Sequence, residues 1–445
     1  MDNRFFFTGT LALVRPTKPR CLEAILIHER ERRFDLANEL RRTRERTLSY
    51  LRDLRDDELQ LPLLDTVNPM LWELGHVGYF AEFWTLRALY GLAPIVPNAD
   101  RLYDSAVIPH DDRWSLPLPN RAETLAFLER QFETMLARLG DDPPAASRYL
   151  HRLALHHEDM HGEAVLYTRQ SMGYRRPPTI AREAADAGTL LGDATIPAGH
   201  YRIGARPDDE FVFDNEKWEH DVELASFRIA RAPVTNADFL QFVEDGGYAE
   251  QRYWTDESWA WRVAAEANAP LYWRRAASGW ERRHFDQWRP LRPHQPVVHV
   301  NLFEAQAYCR HAGRRLPTEA EWEIAATGGT HQRYPWGDAP PDARKANLDH
   351  WYGDVTDVAA FPEGESTFGV RGMIGNVWEW TATAFGPYPG FSPDAYRQYS
   401  EPWFGDHYVL RGGAWSTSAT MISTRWRNFY RAQRRDIITG FRTCD

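Results

Sequence analysis

The chain has 445 residues, more than the roughly 250–300 at which a single hydrophobic core stops growing, so two domains are expected. Lys and Arg number 53 against 63 Asp and Glu, a net charge of −10 without any long single-sign block, which argues against nucleic acid or an anionic membrane as partner and for a small-molecule substrate. The three cysteines, Cys21, Cys309 and Cys444, form no C-x-x-C pair, which excludes a disulfide framework and a cysteine-based zinc site and suits a reducing cytoplasm.

Residues 1–35 read as a loosely held extension: their short apolar run lacks a small-residue cleavage pattern, and no stretch reaches the ~18 apolar residues of a membrane span. From 36 to 185 the pattern is helical. DLANELRRTRERTLSYLRDL, NPMLWELGHVGYFAEFWTLRALYG, RAETLAFLERQFETMLARLG and AASRYLHRLALHHEDMHGEAVLYTRQSMGY each repeat apolar residues at three- and four-residue spacing, which predicts a four-helix bundle. Asn120 with Glu123 reads as a capping pair, Gly140 as a helix stop, and Pro177 and Pro178 as the end of the last helix. From 190 to 445 short β-like runs alternate with Gly, Trp and Pro turns, as in IPAGHYRIG, QPVVHVN, GMIGNVWEWT and HYVLRGGAW, with amphipathic helices at NADFLQFVEDGG and NLFEAQAYCRHAG. The whole is α+β.

HHEDMHGEAVLY, residues 156–167, crowds titratable groups into a helix that should be buried. Residues four apart share a helix face, so His157 and His161 can aim at one point, and His76, the histidine of the second helix, supplies a third ligand from across the bundle. His156, about 100° around the helix, is expected at an interface or in solvent. Glu163 points away from the metal face, toward a neighbouring helix or a group behind the ligands, and Glu158 and Asp159 are expected on a solvated face. Three neutral imidazoles suit zinc, Fe(II) or copper, and the ligand set alone does not choose.

This order, a bundle histidine, then H-x-x-x-H-x-E, then FDNE, PVTN, RLPTEAEWE, GNVWEW, LRGGAW and GFR, resembles the non-haem iron sulfoxide synthases of ergothioneine biosynthesis. Those enzymes join a DinB-like four-helix bundle to a C-type-lectin-type, formylglycine-generating-enzyme-like domain. The resemblance implies Fe(II) on His76, His157 and His161, O2 as co-substrate, and hercynine as one substrate. Asp214, Asn215, Glu216, Asn376, Trp378, Glu379 and Trp380 fall on motifs read as structural, the indoles needing hydrogen-bond acceptors. GGAWSTSATMISTRWR lacks the cysteine pair that holds copper in formylglycine-generating relatives, which speaks against that activity.

In ATAFGPYPGF the family's tyrosine corresponds to Phe385, with Tyr388 three residues on, and these are the expected catalytic positions. Substrate contacts are expected from Asn428, Phe429 and Tyr430 in RWRNFYRAQRR, from Met160, and from Arg113 in HDDRW; Phe429, Tyr388 and Trp72 or Tyr79 are candidates for the trimethylammonium group. Relatives that take γ-glutamylcysteine carry R-x-x-RG-x-L-x-RP where this chain reads LYDSAVIPHDDRWSLPLPNR. The loss of that carboxylate clamp resembles the selenoneine synthase branch, which joins hercynine to a selenosugar, unless Arg431, Arg434 or Arg435 replaces it. A thiol donor remains the alternative. A zinc-dependent thiol transferase and a sugar-binding module whose histidines only staple helices are the rivals from other classes.

Overall fold

The computed structural model describes residues 35–178 and 186–445, so the expected extension, apart from Asp35, lies outside the described residues together with Cys21. The first domain is helical. α1 (Leu36–Ser49) starts where the Asp35 side chain accepts the Asn38 amide. α2 (Met70–Glu82) runs on into a wider π turn at Phe83–Ala88, followed by the short α3 (Ala99–Tyr103). α4 (Arg121–Leu139) has the capping box anticipated at Asn120 and Glu123 and stops at Gly140. The last helix of the bundle, α5 (Ala145–Met172), closes at Gly173 in the left-handed conformation, φ 64°, five residues before the second of the two prolines expected to end it.

The second domain is α+β, with its strands in small sheets. β1 (Asp193–Ile196) pairs antiparallel with β4 (Phe227–Ala230), and β2 (Gly199–Ile203) with β3 (His220–Leu224). Four helices, α6 (Asn236–Glu244), α7 (Asp256–Ala264), α8 (Leu302–His311) and α9 (Glu319–Thr327), each begin at a Thr or Asn cap with a reciprocal partner three residues on. β5 (Trp273–Ala276), β6 (Gly279–His284) and β7 (Gln287–Pro290) form a meander. β8 (Trp378–Ala384), β9 (Tyr408–Arg411), β10 (Asn428–Tyr430) and β11 (Thr439–Gly440) form a four-stranded sheet in the order β10-β9-β8-β11. QPVVHVN, expected as a strand, is instead an irregular run that buries Val297, Val298 and Val300 in the core.

GNVWEW is structural, as its composition suggested. Gly375 has φ 81°, and a Cβ there would stand 2.4 Å from the Asn347 carbonyl oxygen, so only glycine fits. The Trp380 indole donates to the Val300 carbonyl at 2.9 Å, and Glu379 accepts from the Trp322 indole at 2.9 Å and from Arg442 at 2.6 Å.

Glu163 joins the two domains. Its carboxylate accepts the Tyr167 hydroxyl at 2.7 Å from its own helix, and from the second domain it accepts the Trp378 indole at 3.2 Å, the Ser416 hydroxyl at 3.1 Å and the Thr417 hydroxyl. The seam also holds Arg46 against Asp349 at 2.9 Å, Tyr149 donating to Asp394 at 2.8 Å, and Gln170 accepting the Phe285 amide at 2.6 Å. Glu158 and Asp159 are not on a solvated face. Both are buried because α1 lies over them with cations of its own: Arg44 grips Glu158 at 2.8 and 3.1 Å, and Arg46 and Thr43 donate to Asp159. His156 stands at the seam, its ring 4.8 Å from that of Phe211 and 6.0 Å from that of Trp426.

Candidate metal centre

α2 and α5 bring His76, His157 and His161 together, with one nitrogen from each within 4.8 Å of the others. ELGHVG places Gly75 beside His76 because α3 crosses there: a Cβ at Gly75 would lie 2.1 Å from the Tyr103 ring. That close approach lets the Tyr103 carbonyl accept from Nδ1 of His76 at 2.7 Å. Nδ1 of His161 donates to Glu73 at 2.6 Å. Both partners only accept, so both rings turn an Nδ1–H outward to them and their Nε2 to the centre.

His157 Nε2 lies 3.1 Å from His161 Nε2, while its own Nδ1 is buried without a partner. Burial, with His161 close by, lowers His76 to about 3, and burial carries His157 well below the ordinary range, so both are neutral as ligation requires. Three convergent imidazoles in a buried space, two of them aimed by a hydrogen bond at the far nitrogen, fit a divalent cation better than they fit one another.

Glu73 was not singled out from the sequence. Burial pushes its carboxyl up, but His161 pulls harder and Asn68 helps, so it is held below the usual carboxylate range. Asn68 donates to Glu73 at 2.7 Å and accepts from Arg113 at 2.6 Å. Arg113, expected at substrate, thus stands behind a ligand, its guanidinium 4.1 Å over the Trp72 ring. The other side of Trp72 stacks on His76 at 4.7 Å and 8°, so this indole has no face left for a substrate cation.

The aromatic boundary comes from both domains. Phe80 stacks on His157 at 3.5 Å, and Tyr396 meets Phe80 edge-on at 4.8 Å, with its ring 6.3 Å from that of His157. Tyr399 points its hydroxyl at the Met160 sulfur, 3.7 Å away, and its ring packs 5.7 Å from Phe429. Met160 and Phe429 are therefore brought to one wall. Asn428 turns its amide oxygen to the Phe429 N–H at 2.9 Å, and Tyr430 lies under Arg434 at 5.0 Å.

The structure does not bring Phe385 or Tyr388 to the triad. Phe385 is fully buried, stacked on Phe429 at 4.1 Å and against Phe404 at 5.0 Å. Tyr388 packs on His220 at 4.5 Å with the Arg427 guanidinium 4.0 Å over its ring, and Tyr79 lies beside Phe83 and Arg87, so neither offers a free face to a substrate cation. The ring from the second domain that reaches His157 is Tyr396, eight residues past Tyr388, in a segment with no periodicity to flag it.

Residues 39–165 match the DinB superfamily, and residues 180–445 match the sulfatase-modifying factor enzyme 1-like domain. A protein of Mycolicibacterium thermoresistibile named hercynine oxygenase is 37% identical over 92% of this chain and 94% of its own length. One of the same name from Mycobacterium tuberculosis is 36% identical over 92% of this chain and 97% of its own. This chain belongs to the hercynine oxygenase family. It is an enzyme of oxidoreductase type, with the helical and lectin-type domains of its relatives. A formylglycine-generating enzyme of Streptomyces coelicolor is 33% identical over 54% of this chain and 84% of its own, the share set by the second domain. Among the described residues of this family member, no helix is long and apolar enough to cross a membrane.

Proposed function

We propose that this protein uses Fe(II), held by His76, His157 and His161, to join the imidazole of hercynine to the selenium of a selenosugar with O2 as co-substrate. The observation that carries the reading is the convergence of three imidazoles from two helices, in a chain so similar along its length to proteins named hercynine oxygenase. In the reaction the ring carbon between the imidazole nitrogens loses its hydrogen and gains selenium, the selenol loses its hydrogen, one atom of O2 goes to selenium, and the other leaves as water with both hydrogens. When bound, iron supplies activation of O2 and a position for the chalcogen.

The chain's own part is positioning. Glu73 and the Tyr103 carbonyl aim the ligands, and the wall of Tyr396, Tyr399, Met160 and Phe429 holds hercynine, whose trimethylammonium group suits aromatic faces. Holding both reactants at contact distance supplies several kcal/mol of the barrier, up to about 7–11 in the best-oriented cases.

The selenosugar is favoured by what the arginines are already doing. Arg431 is paired with Asp406 at 2.9 Å, Arg434 grips Asp436 with both nitrogens at 2.7 and 2.9 Å, Arg435 meets Glu304 at 3.1 Å, and Arg113 is committed to Asn68. A donor with two carboxylates would have to break such pairs, whereas an uncharged sugar would not. The buried thiols of Cys309 and Cys444 suit a reducing cytoplasm.

Iron-loaded protein, hercynine and each of a 1-selenosugar, a thiosugar, γ-glutamylcysteine and cysteine, with products read by mass, tests this reading. The selenosugar adduct is expected to dominate. Preferred turnover of γ-glutamylcysteine would instead establish the thiol reading, in which hercynine is joined to γ-glutamylcysteine, cysteine or another thiol. His157→Ala should lose bound iron and product formation together, and activity supported by zinc without oxygen consumption would point to thiol transfer.

A further inference from the structure

Tyr396 and Tyr399 lie between β8 and β9 in a stretch that belongs to no sheet, yet both meet α5 at defined places: the Tyr396 ring stands 6.3 Å from that of His157, and the Tyr399 hydroxyl 3.7 Å from the Met160 sulfur. A residue free to sample its backbone wells gains about 1–2 kcal/mol of entropy, so a side chain on such a stretch stays in one place only where tertiary contacts hold the chain on both sides of it.

Those contacts converge on Asp394, two residues before Tyr396. Tyr149, about two turns before His157 on α5, donates its hydroxyl to Asp394 at 2.8 Å, and its own ring is seated on that of Phe211 at 5.2 Å and 24°. Lys217 donates to both oxygens of the same carboxylate at 2.7 Å. Their side chains are only 17% and 24% exposed, so water competes with this pair less than with one on the open surface. The far end of the stretch is held by FDNE. Asp214 accepts the Ser400 hydroxyl on one oxygen and the Asp394 amide on the other at 3.3 Å, Asn215 donates to Ser400 at 3.0 Å, and Phe213 stacks on Tyr399 at 4.2 Å and 25°. Residues 213–217 thus form a template for residues 394–400. Asp394 is the point at which the template and the histidine-bearing helix both take hold, so it sets where the Tyr396 ring stands relative to His157.

We propose that Asp394, held by Tyr149 and Lys217, is a positioning residue for the reaction, fixing Tyr396 against the imidazole centre. It touches no reactant and acts through Tyr396. The proposal rests on the reading above that Tyr396 faces the reactants, whereas the clamp itself does not, and it is independent of which chalcogen donor the enzyme uses.

Two measurements keep the clamp and the function it serves apart. Hydrogen–deuterium exchange of the iron-loaded enzyme, read by mass on peptides spanning residues 391–400, should be about tenfold faster in Tyr149→Phe and in Lys217→Met, with exchange in α2 and iron content unchanged. Turnover of hercynine with its best donor should fall about tenfold in either variant and be retained in Lys217→Arg, while in a Tyr396→Phe background the same substitutions should cost nothing further, as expected of groups that act through one another. A contact that merely supports the fold would lower turnover by the same factor in both backgrounds. Unchanged exchange at 391–400, or equal fold losses in the two backgrounds, would overturn the proposal. Failure of the native enzyme to convert hercynine with any donor would overturn the proposed function instead, and the exchange measurement would still decide the clamp.

Discussion

Glu73 sits one turn before His76 on α2, yet its carboxylate serves a histidine on another helix, orienting His161 without itself entering the centre. Replacing it by Gln keeps the shape and removes the charge that fixes His161, so Glu73→Gln is expected to lose about 10–100-fold in iron affinity with little change in fold, measured by competitive chelation. Tyr396 is the second residue whose weight comes from geometry. Tyr396→Phe should lower turnover by on the order of tenfold or more, because the hydroxyl on the ring facing His157 is lost. Phe385→Tyr should leave the product ratio unchanged and cost roughly 1–3 kcal/mol in stability, since it buries a hydroxyl in a stack of Phe429 and Phe404. A switch of product in Phe385→Tyr would return that position to the chemistry.

Glu216 gives a pH signature at the same scale. Its carboxyl is raised from an ordinary value of 4.5 to about 8 by burial, so the neutral form belongs to the fold and the unfolded chain ionises first. The stability it contributes is fully present below pH 4.5 and is lost as pH rises toward 8, by at most about 1.4 kcal/mol per unit. Glu216→Gln should flatten that decline in a series of denaturant melts between pH 5 and 8. Parallel declines in both proteins would sink the assignment.

Among the elements, α5 does the most. One face carries the ligands, Glu158 and Asp159 dock α1, and Glu163 docks the second domain. Glu163→Ala would leave the Ser416 and Thr417 hydroxyls, the Tyr167 hydroxyl and the Trp378 indole without their acceptor, and each buried donor so stranded costs roughly 1–3 kcal/mol. Chemical denaturation should show a loss of several kcal/mol, or separation of one transition into two. The bundle was legible in the sequence because four long segments repeat at helical spacing, and the histidine trio was legible because i, i+4 spacing fixes a shared face. Glu158 and Asp159 were misread for a physical reason: charge predicts solvent only when no opposite charge waits on the packing partner, and Arg44 and Arg46 lie more than a hundred residues away in the chain. Tyr396 was equally hidden, because it sits in an irregular loop whose path is set by tertiary contacts such as Tyr149 with Asp394.

Over the molecule as a whole, labour is divided between the two polypeptide halves. Every imidazole at the centre, and every group that aims one, belongs to residues before 179, whereas Tyr396 and Tyr399 arrive from the stretch between β8 and β9, and Phe429 from β10, all in the later half. The candidate cradle thus belongs to the first half, while the wall beside it is shared, Met160 of α5 meeting Tyr399 of the second. Substitutions near 396 and 429 can therefore reshape that wall while the three imidazoles, and the groups that aim them, stay in place.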